Sequence, residues 1–84
     1  MYQYFFEKKA LRAFKKLPGE IQDRILKKLD FFVTSGNPLV FAECLINYGL
    51  GEYRFRVGDY RVIFDLDGED IEIVEVGHRR EIYK

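Results

Sequence analysis

Residues 53–64, Tyr53-Arg54-Phe55-Arg56-Val57-Gly58-Asp59-Tyr60-Arg61-Val62-Ile63-Phe64, decide the fold. Apolar Tyr53, Phe55 and Val57 alternate with Arg54 and Arg56, the period of a half-buried strand. Gly58-Asp59 turns the chain, and Tyr60, Val62, Phe64 and Leu66 then alternate with Arg61, Ile63 and Asp65. Asp67-Gly68 is a dipeptide strongly associated with hairpin turns. Ile71 to Val76 supplies a third strand, continuous enough to be buried on both faces.

Upstream the period changes. Residues 2–6, Tyr-Gln-Tyr-Phe-Phe, read as a short first strand. Ala10, Phe14 and Leu17 recur at helical spacing, with Lys8, Lys9, Arg12, Lys15 and Lys16 in the remaining positions. Pro18-Gly19 ends this helix, and Pro18 fits equally the first turn of the next one, where its missing N–H costs nothing. Ile21, Ile25, Leu29 and Phe32 mark the apolar stripe of a second helix, stopped by Thr34-Ser35-Gly36-Asn37-Pro38. Residues 38–51 carry no clear period; Val40 to Leu45 reads as a helical turn and Tyr48-Gly49-Leu50-Gly51 as a loop. The expected fold is therefore α+β, in the order β-α-α-β-β-β, with a small antiparallel-rich sheet and both helices packed on one of its faces.

Eighty-four residues give one domain, 1–84, with no room for a second core. A chain of this size buries only about 60–65% of its unfolded surface. Apolar residues at 48% and aromatics at 17% still provide a core and argue against disorder. Cys44 is alone, which excludes an internal disulfide and points to a reduced, cytoplasmic setting with Cys44 as a small apolar residue. No apolar run approaches the roughly 20 residues of a membrane helix, and the N-terminus lacks a signal-peptide pattern. Fourteen basic side chains balance fourteen acidic ones. The distribution is uneven: six acids crowd residues 65–75, while residues 1–64 carry eleven Lys or Arg against seven acids. A neutral total thus leaves room for a local cationic face.

That face follows from strand alternation. If Tyr53, Phe55 and Val57 meet the helices, Arg54 and Arg56 point the other way, and Arg61 joins them from the next strand. Three guanidiniums on an uncovered sheet face repel one another without an anion between them. A phosphate backbone is one such anion, because each guanidinium offers a planar fork of donors. The alternative is a solvated surface partnered by the acids of 65–72. Directly after the last strand come His78, Arg79, Arg80 and Tyr83. RNA cleavage by its own 2′-hydroxyl requires a base, an acid and cations for the phosphorane charge. Histidine exchanges a proton near neutral pH and arginine carries permanent charge. Tyr83 either stacks on a base or packs back on the sheet at the end of a charged tail.

The stretch Tyr53 to Phe64, followed by Val76-Gly77-His78-Arg79-Arg80-Glu81-Ile82-Tyr83, resembles the RelE-type toxins of the RelE/ParE superfamily. The helical half is similar too, in the Ala10-Leu11 to Leu17-Pro18 run and the Ile21-Gln22 start. The resemblance implies a small sheet with two N-terminal helices, metal-independent cleavage of messenger RNA in the ribosomal A site, and a cognate antitoxin that wraps the toxin in a hetero-oligomer. It further implies that Arg54, Arg56, Arg61 and Arg79 hold and neutralise the scissile phosphate. His78 is then the candidate for proton transfer, and Tyr83 orients the nucleotide or shares the proton work. No cofactor is implied. Two rivals share the fold: a ParE-like protein that inhibits DNA gyrase by binding, and a non-toxic member that keeps only the antitoxin groove. Other chemistries lack their motifs. One His and one Cys give no HxxxH or CxxC metal spacing, Ser35 has no local base, and the acids of 65–70 lack calcium-loop spacing and read as a solvated hairpin tip.

Overall fold

The computed structural model describes residues 1–45, 49 and 51–82. Strand β1 (Gln3–Phe6) leads through Glu7 into helix α1 (Lys8–Lys15), and helix α2 (Gly19–Thr34) follows. Pro18 stands just ahead of α2 as its N-cap, so it starts the second helix from outside the first turn. The helix ends where Thr34 Oγ1 donates back to the Asp30 carbonyl at 2.8 Å and Gly36 takes a φ of 90°. Three long strands then form a meander, β3 (Tyr53–Val57), β4 (Tyr60–Asp67) and β5 (Asp70–His78).

Residues 38–51 correct the sequence expectation. Pro38–Phe41 form a 3-10 turn, and Ala42–Cys44 form a short strand, β2, antiparallel to β3. The sheet therefore has five strands in the order β1-β5-β4-β3-β2, with β1 parallel to β5 and all other neighbours antiparallel. Three residues are too few to show a period, which is why β2 is silent in the sequence. Cys44 lies exposed on this edge strand. Of the Tyr48–Gly51 loop, Tyr48 and Leu50 lie outside the described residues. The charged end also differs, since Arg79–Ile82 wind into a short helix, α3. Among the described residues no helix is long and apolar enough to cross a membrane.

Both longer helices lie on one sheet face, against the side chains that alternation directs there. Ala10, Phe14, Ile25, Leu29 and Phe32 meet Phe55, Val57, Val62, Phe64, Ile71, Ile73 and Val76 in one buried cluster. A stack of rings runs through it: Phe41 on Phe32 at 5.0 Å, Phe32 on Phe55 at 4.4 Å, and Phe55 on Phe64 at 4.4 Å. β5 is not buried on both faces along its whole length; Glu72, Val74 and Glu75 are half-covered, while Gly77 near its end is buried. The register slips between Ile63 and Phe64, which pair with Glu75 and Ile73 and leave Val74 as the extra residue of a bulge. Asp65 departs from the solvated tip expected for it: its Oδ1 accepts the Glu52 N–H at 2.9 Å. Glu52 Oε1 in turn accepts the Leu66 N–H at 2.9 Å, so the segment entering β3 is fastened across β4.

Candidate active site

The face opposite the helices carries the arginines. Register places Arg54 beside Glu43 of β2 and opposite Ile63 of β4, and places Arg56 opposite Arg61. Glu43 is the anion among them. Its Oε2 accepts from Arg54 Nη2 at 2.9 Å, and its Oε1 lies 3.6 Å from Arg56 Nη1. The hydrogen bond from Arg54 holds the Glu43 carboxyl below the usual carboxylate range; partial burial opposes this, and the charges of Arg54, Arg56 and Arg61 reinforce it. Exposure grades across the group. The Arg54 side chain is 19% exposed, that of Glu43 44% and that of Arg56 61%. Arg56 is thus the guanidinium most open to a ligand.

Arg61 does not share that openness. It is only 5% exposed, and its Nη1 donates to the carbonyls of Gly58 at 2.8 Å and Tyr60 at 2.9 Å. Two cations directly across an antiparallel pair repel. Arg56 and Arg61 escape this by turning apart, one toward Glu43 and the other onto the β3–β4 turn. Gly77 of β5 pairs directly with Arg61 of β4, and a Cβ there would touch Ile82 at 3.5 Å, so α3 closes over that end of the face.

His78 leaves the pleat on the other side. It pairs with Tyr60, whose ring packs on the core, and the two rings meet edge to face at 5.3 Å. Its Nδ1 accepts the Arg80 N–H at 3.1 Å, which leaves Nε2 as the nitrogen available to a ligand. The ring borders a groove of about 750 Å³ between α1 and α3, lined also by Lys9, Arg12, Lys16 and Glu81. Arg79 stands at the sheet end, where its N–H donates to the Asp59 carbonyl at 2.8 Å and its Nε lies 3.9 Å from Asp59 Oδ1. The six candidate residues therefore divide. Arg54 and Arg56 share the open face, Arg61 is folded beneath it, Arg79 marks its end, and His78 faces the groove. Tyr83 lies outside the described residues.

Two parts of this arrangement escape a sequence reading. Glu43 falls in the stretch without a period, and nothing local marks it as the partner of residues 11 and 13 positions away. The groove cations Lys9, Arg12 and Lys16 read as an ordinary solvated helix face, although their spacing aligns them. The acids actually paired with the arginines are Glu43 and Asp59, not the run at 65–72.

Residues 4–83 match the family described as the ParE toxin of type II toxin–antitoxin system, parDE. Toxin RelE3 of Methanocaldococcus jannaschii is 28% identical over 92 residues, covering 93% of this chain and 91% of the relative. The fold matches the toxin–antitoxin complex RelBE2 from Mycobacterium tuberculosis with a TM-score of 0.79 at 29% identity, over 93% of this chain and 98% of that one. It matches the RelB–RelE antitoxin–toxin complex from Methanococcus jannaschii with a TM-score of 0.74 at 28% identity, over 94% of each chain.

Proposed function

The chain belongs to the ParE toxin family of type II toxin–antitoxin systems, within the RelE/ParE superfamily, and from that premise we propose that it is an endoribonuclease that cuts messenger RNA in the ribosomal A site. The observation that carries this reading is the pair Arg54 and Arg56, side by side on the sheet face that α1 and α2 leave open, already arranged around a carboxylate. Two guanidinium forks converging on one anion suit a phosphodiester. The relatives matched along nearly the whole chain include a RelE toxin.

In this reading the phosphate lies on Arg54 and Arg56, with Arg79 at the sheet end extending the grip. The 2′-oxygen attacks the adjacent phosphorus, its proton leaves to a base, and the 5′-oxygen departs with a proton. The products are a 2′,3′-cyclic phosphate and a 5′-hydroxyl. Negative charge accumulates on the phosphorane oxygens, and fixed guanidiniums stabilise it without reorganising. Permanent cations in these positions let the reaction run without a metal ion. His78, with Nδ1 engaged by the Arg80 N–H, presents Nε2 to the groove on the other side of the sheet, so the proton transfers at a phosphate held on Arg54 and Arg56 fall to groups other than this ring. Arg61 contributes its charge from beneath the face. Tyr83 orients or stacks the nucleotide. The toxin works in the cytoplasm, and a cognate antitoxin joins it in a hetero-oligomer and covers the arginine face with acidic residues; the structural neighbours, themselves toxin–antitoxin complexes, support such a partner.

A second reading is favoured by the matched family, whose name is that of ParE: a toxin that binds DNA gyrase and cuts nothing. Controlled expression of the wild type, Arg56→Ala and Arg79→Ala separates the two, with growth, 5′-end mapping of translated messages and a gyrase supercoiling assay in parallel. Growth arrest with in-frame message cleavage, lost in the variants, is the expected result. Arrest with intact messages and inhibited supercoiling would transfer the assignment to gyrase. A soluble, folded wild type that arrests nothing would leave a non-toxic member of the family.

A further inference from the structure

The arginine face carries its own anion, and we propose that Glu43 is a built-in phosphate surrogate, which an RNA phosphate must displace before the face is occupied. The inference rests on the ribonuclease reading above and names the residue that sets the affinity of that site.

The geometry is that of a ligand already bound. Glu43 gives one oxygen to each guanidinium, Oε2 to Arg54 at 2.9 Å and Oε1 toward Arg56 at 3.6 Å. A phosphodiester would offer its two non-bridging oxygens in the same manner. Glu43 is fixed there by the fold, since β2 pairs with β3 so that Glu43 lies directly beside Arg54. It is also displaceable. The carboxylate is 44% exposed on an edge strand of three residues, and an ion pair so exposed holds only weakly. Arg56, at 61% exposure and the longer contact, is where exchange begins.

Two consequences follow. In the free protein the face presents about one net positive charge from Arg54, Arg56 and Glu43, which suits a chain whose fourteen cations and fourteen anions cancel. A lone phosphate replacing Glu43 exchanges one anion for another and gains little. An RNA strand gains more, because its neighbouring phosphates reach further cations such as Arg79, whose own carboxylate partner, Asp59, is 3.9 Å away and 66% exposed. Glu43 thereby selects a polyanionic chain over a single nucleotide.

The test is a titration of a fluorescent all-2′-O-methyl RNA decamer, which cannot be cleaved, against wild type, Glu43→Gln and Arg56→Ala at one fixed salt concentration. Glu43→Gln is expected to tighten binding about fivefold, the equivalent of one exposed ion pair no longer competing. Arg56→Ala is expected to weaken it. Loss of structure does not produce tighter binding, so a gain separates displacement from a merely structural role; far-UV circular dichroism confirms that both variants are folded. Unchanged or weaker binding by Glu43→Gln, while Arg56→Ala weakens it, would overturn the role of Glu43 and leave the RNA site standing. If Arg56→Ala changes nothing, the RNA reading of this face fails and the surrogate with it.

Discussion

Arg61 shows how the sheet turns an expected ligand contact into a structural member, and Arg61→Ala measures that. The side chain is 5% exposed, and its Nη1 satisfies the carbonyls of Gly58 and Tyr60 at 2.8 and 2.9 Å. A hydrogen bond from a charged donor contributes about 1.5–3 kcal/mol, and both acceptors share one nitrogen, so we count this range once. Exposing and truncating the three-methylene stem removes about 2 kcal/mol of apolar burial. Relief of repulsion with Arg56 across the pair returns about 0.2–1 kcal/mol. The net expectation is a loss of about 2.5–5 kcal/mol, or roughly 10–40 °C in Tm for a domain of this size. Arg56→Ala, at an exposed position, should stay within about 0.5 kcal/mol of wild type. Urea denaturation followed by far-UV circular dichroism at 25 °C gives both values, with unchanged m confirming a common unfolded state. An Arg61→Ala loss below about 1 kcal/mol, or equal losses from the two variants, would refute the distinction drawn between them.

Gly51→Ala should destabilise by about 1–3 kcal/mol through overpacking. The new Cβ would stand 2.7 Å from Ile63 Cγ2 and 3.2 Å from Val74 Cγ2, and Ile63 is wholly buried, so a urea midpoint equal to wild type would contradict the packing described. Phe55→Ala should cost about 3–5 kcal/mol, because Phe55 stacks on both Phe32 and Phe64 at 4.4 Å with no exposure. Against a total of about 5–15 kcal/mol this leaves little margin, and a thermal melt retaining most of the wild-type Tm would count against the stack as the centre of the core. The lowered pKa of Glu43, caused first by the Arg54 hydrogen bond, predicts a pH dependence. A depressed carboxylate contributes stability above its unfolded value, near 4.3, and loses it as pH falls through the folded value. The stability gap between wild type and Glu43→Gln should therefore be present at pH 7 and close below about pH 4, and a gap constant with pH would exclude the ion pair as its source.

Much of this architecture is legible before any coordinates. The alternation through Tyr53–Val57 and Tyr60–Leu66 fixes two strands and the face each residue takes, because a strand has only two faces. The stripe Ile21, Ile25, Leu29 and Phe32 similarly identifies α2 and its buried side. Short elements are not legible. β2 has three residues and α3 four, and neither completes enough of a period to stand out from its surroundings. The site is legible in its residue types and only partly in its assembly. Arg54 and Arg56 fall on one face as alternation requires, whereas His78, two strands away, leaves the sheet on the opposite side.

What the sequence determined by itself is local: the periods of helix and strand, the turns at Gly58 and Gly68, and the alternation that separates arginines from aromatics. These depend on near neighbours in the chain and on the geometry of a single element. The tertiary structure decided which charges meet. Glu43 reaches Arg54 and Arg56 only because β2 pairs with β3 in one register, and a shift of a single residue would turn its carboxylate to the other face. Arg61 is buried only because the β3–β4 turn offers it two carbonyls. Pairing register and carbonyl supply are properties of the assembled sheet, and Coulomb energy depends on distance in space, which the order of residues along the chain does not record.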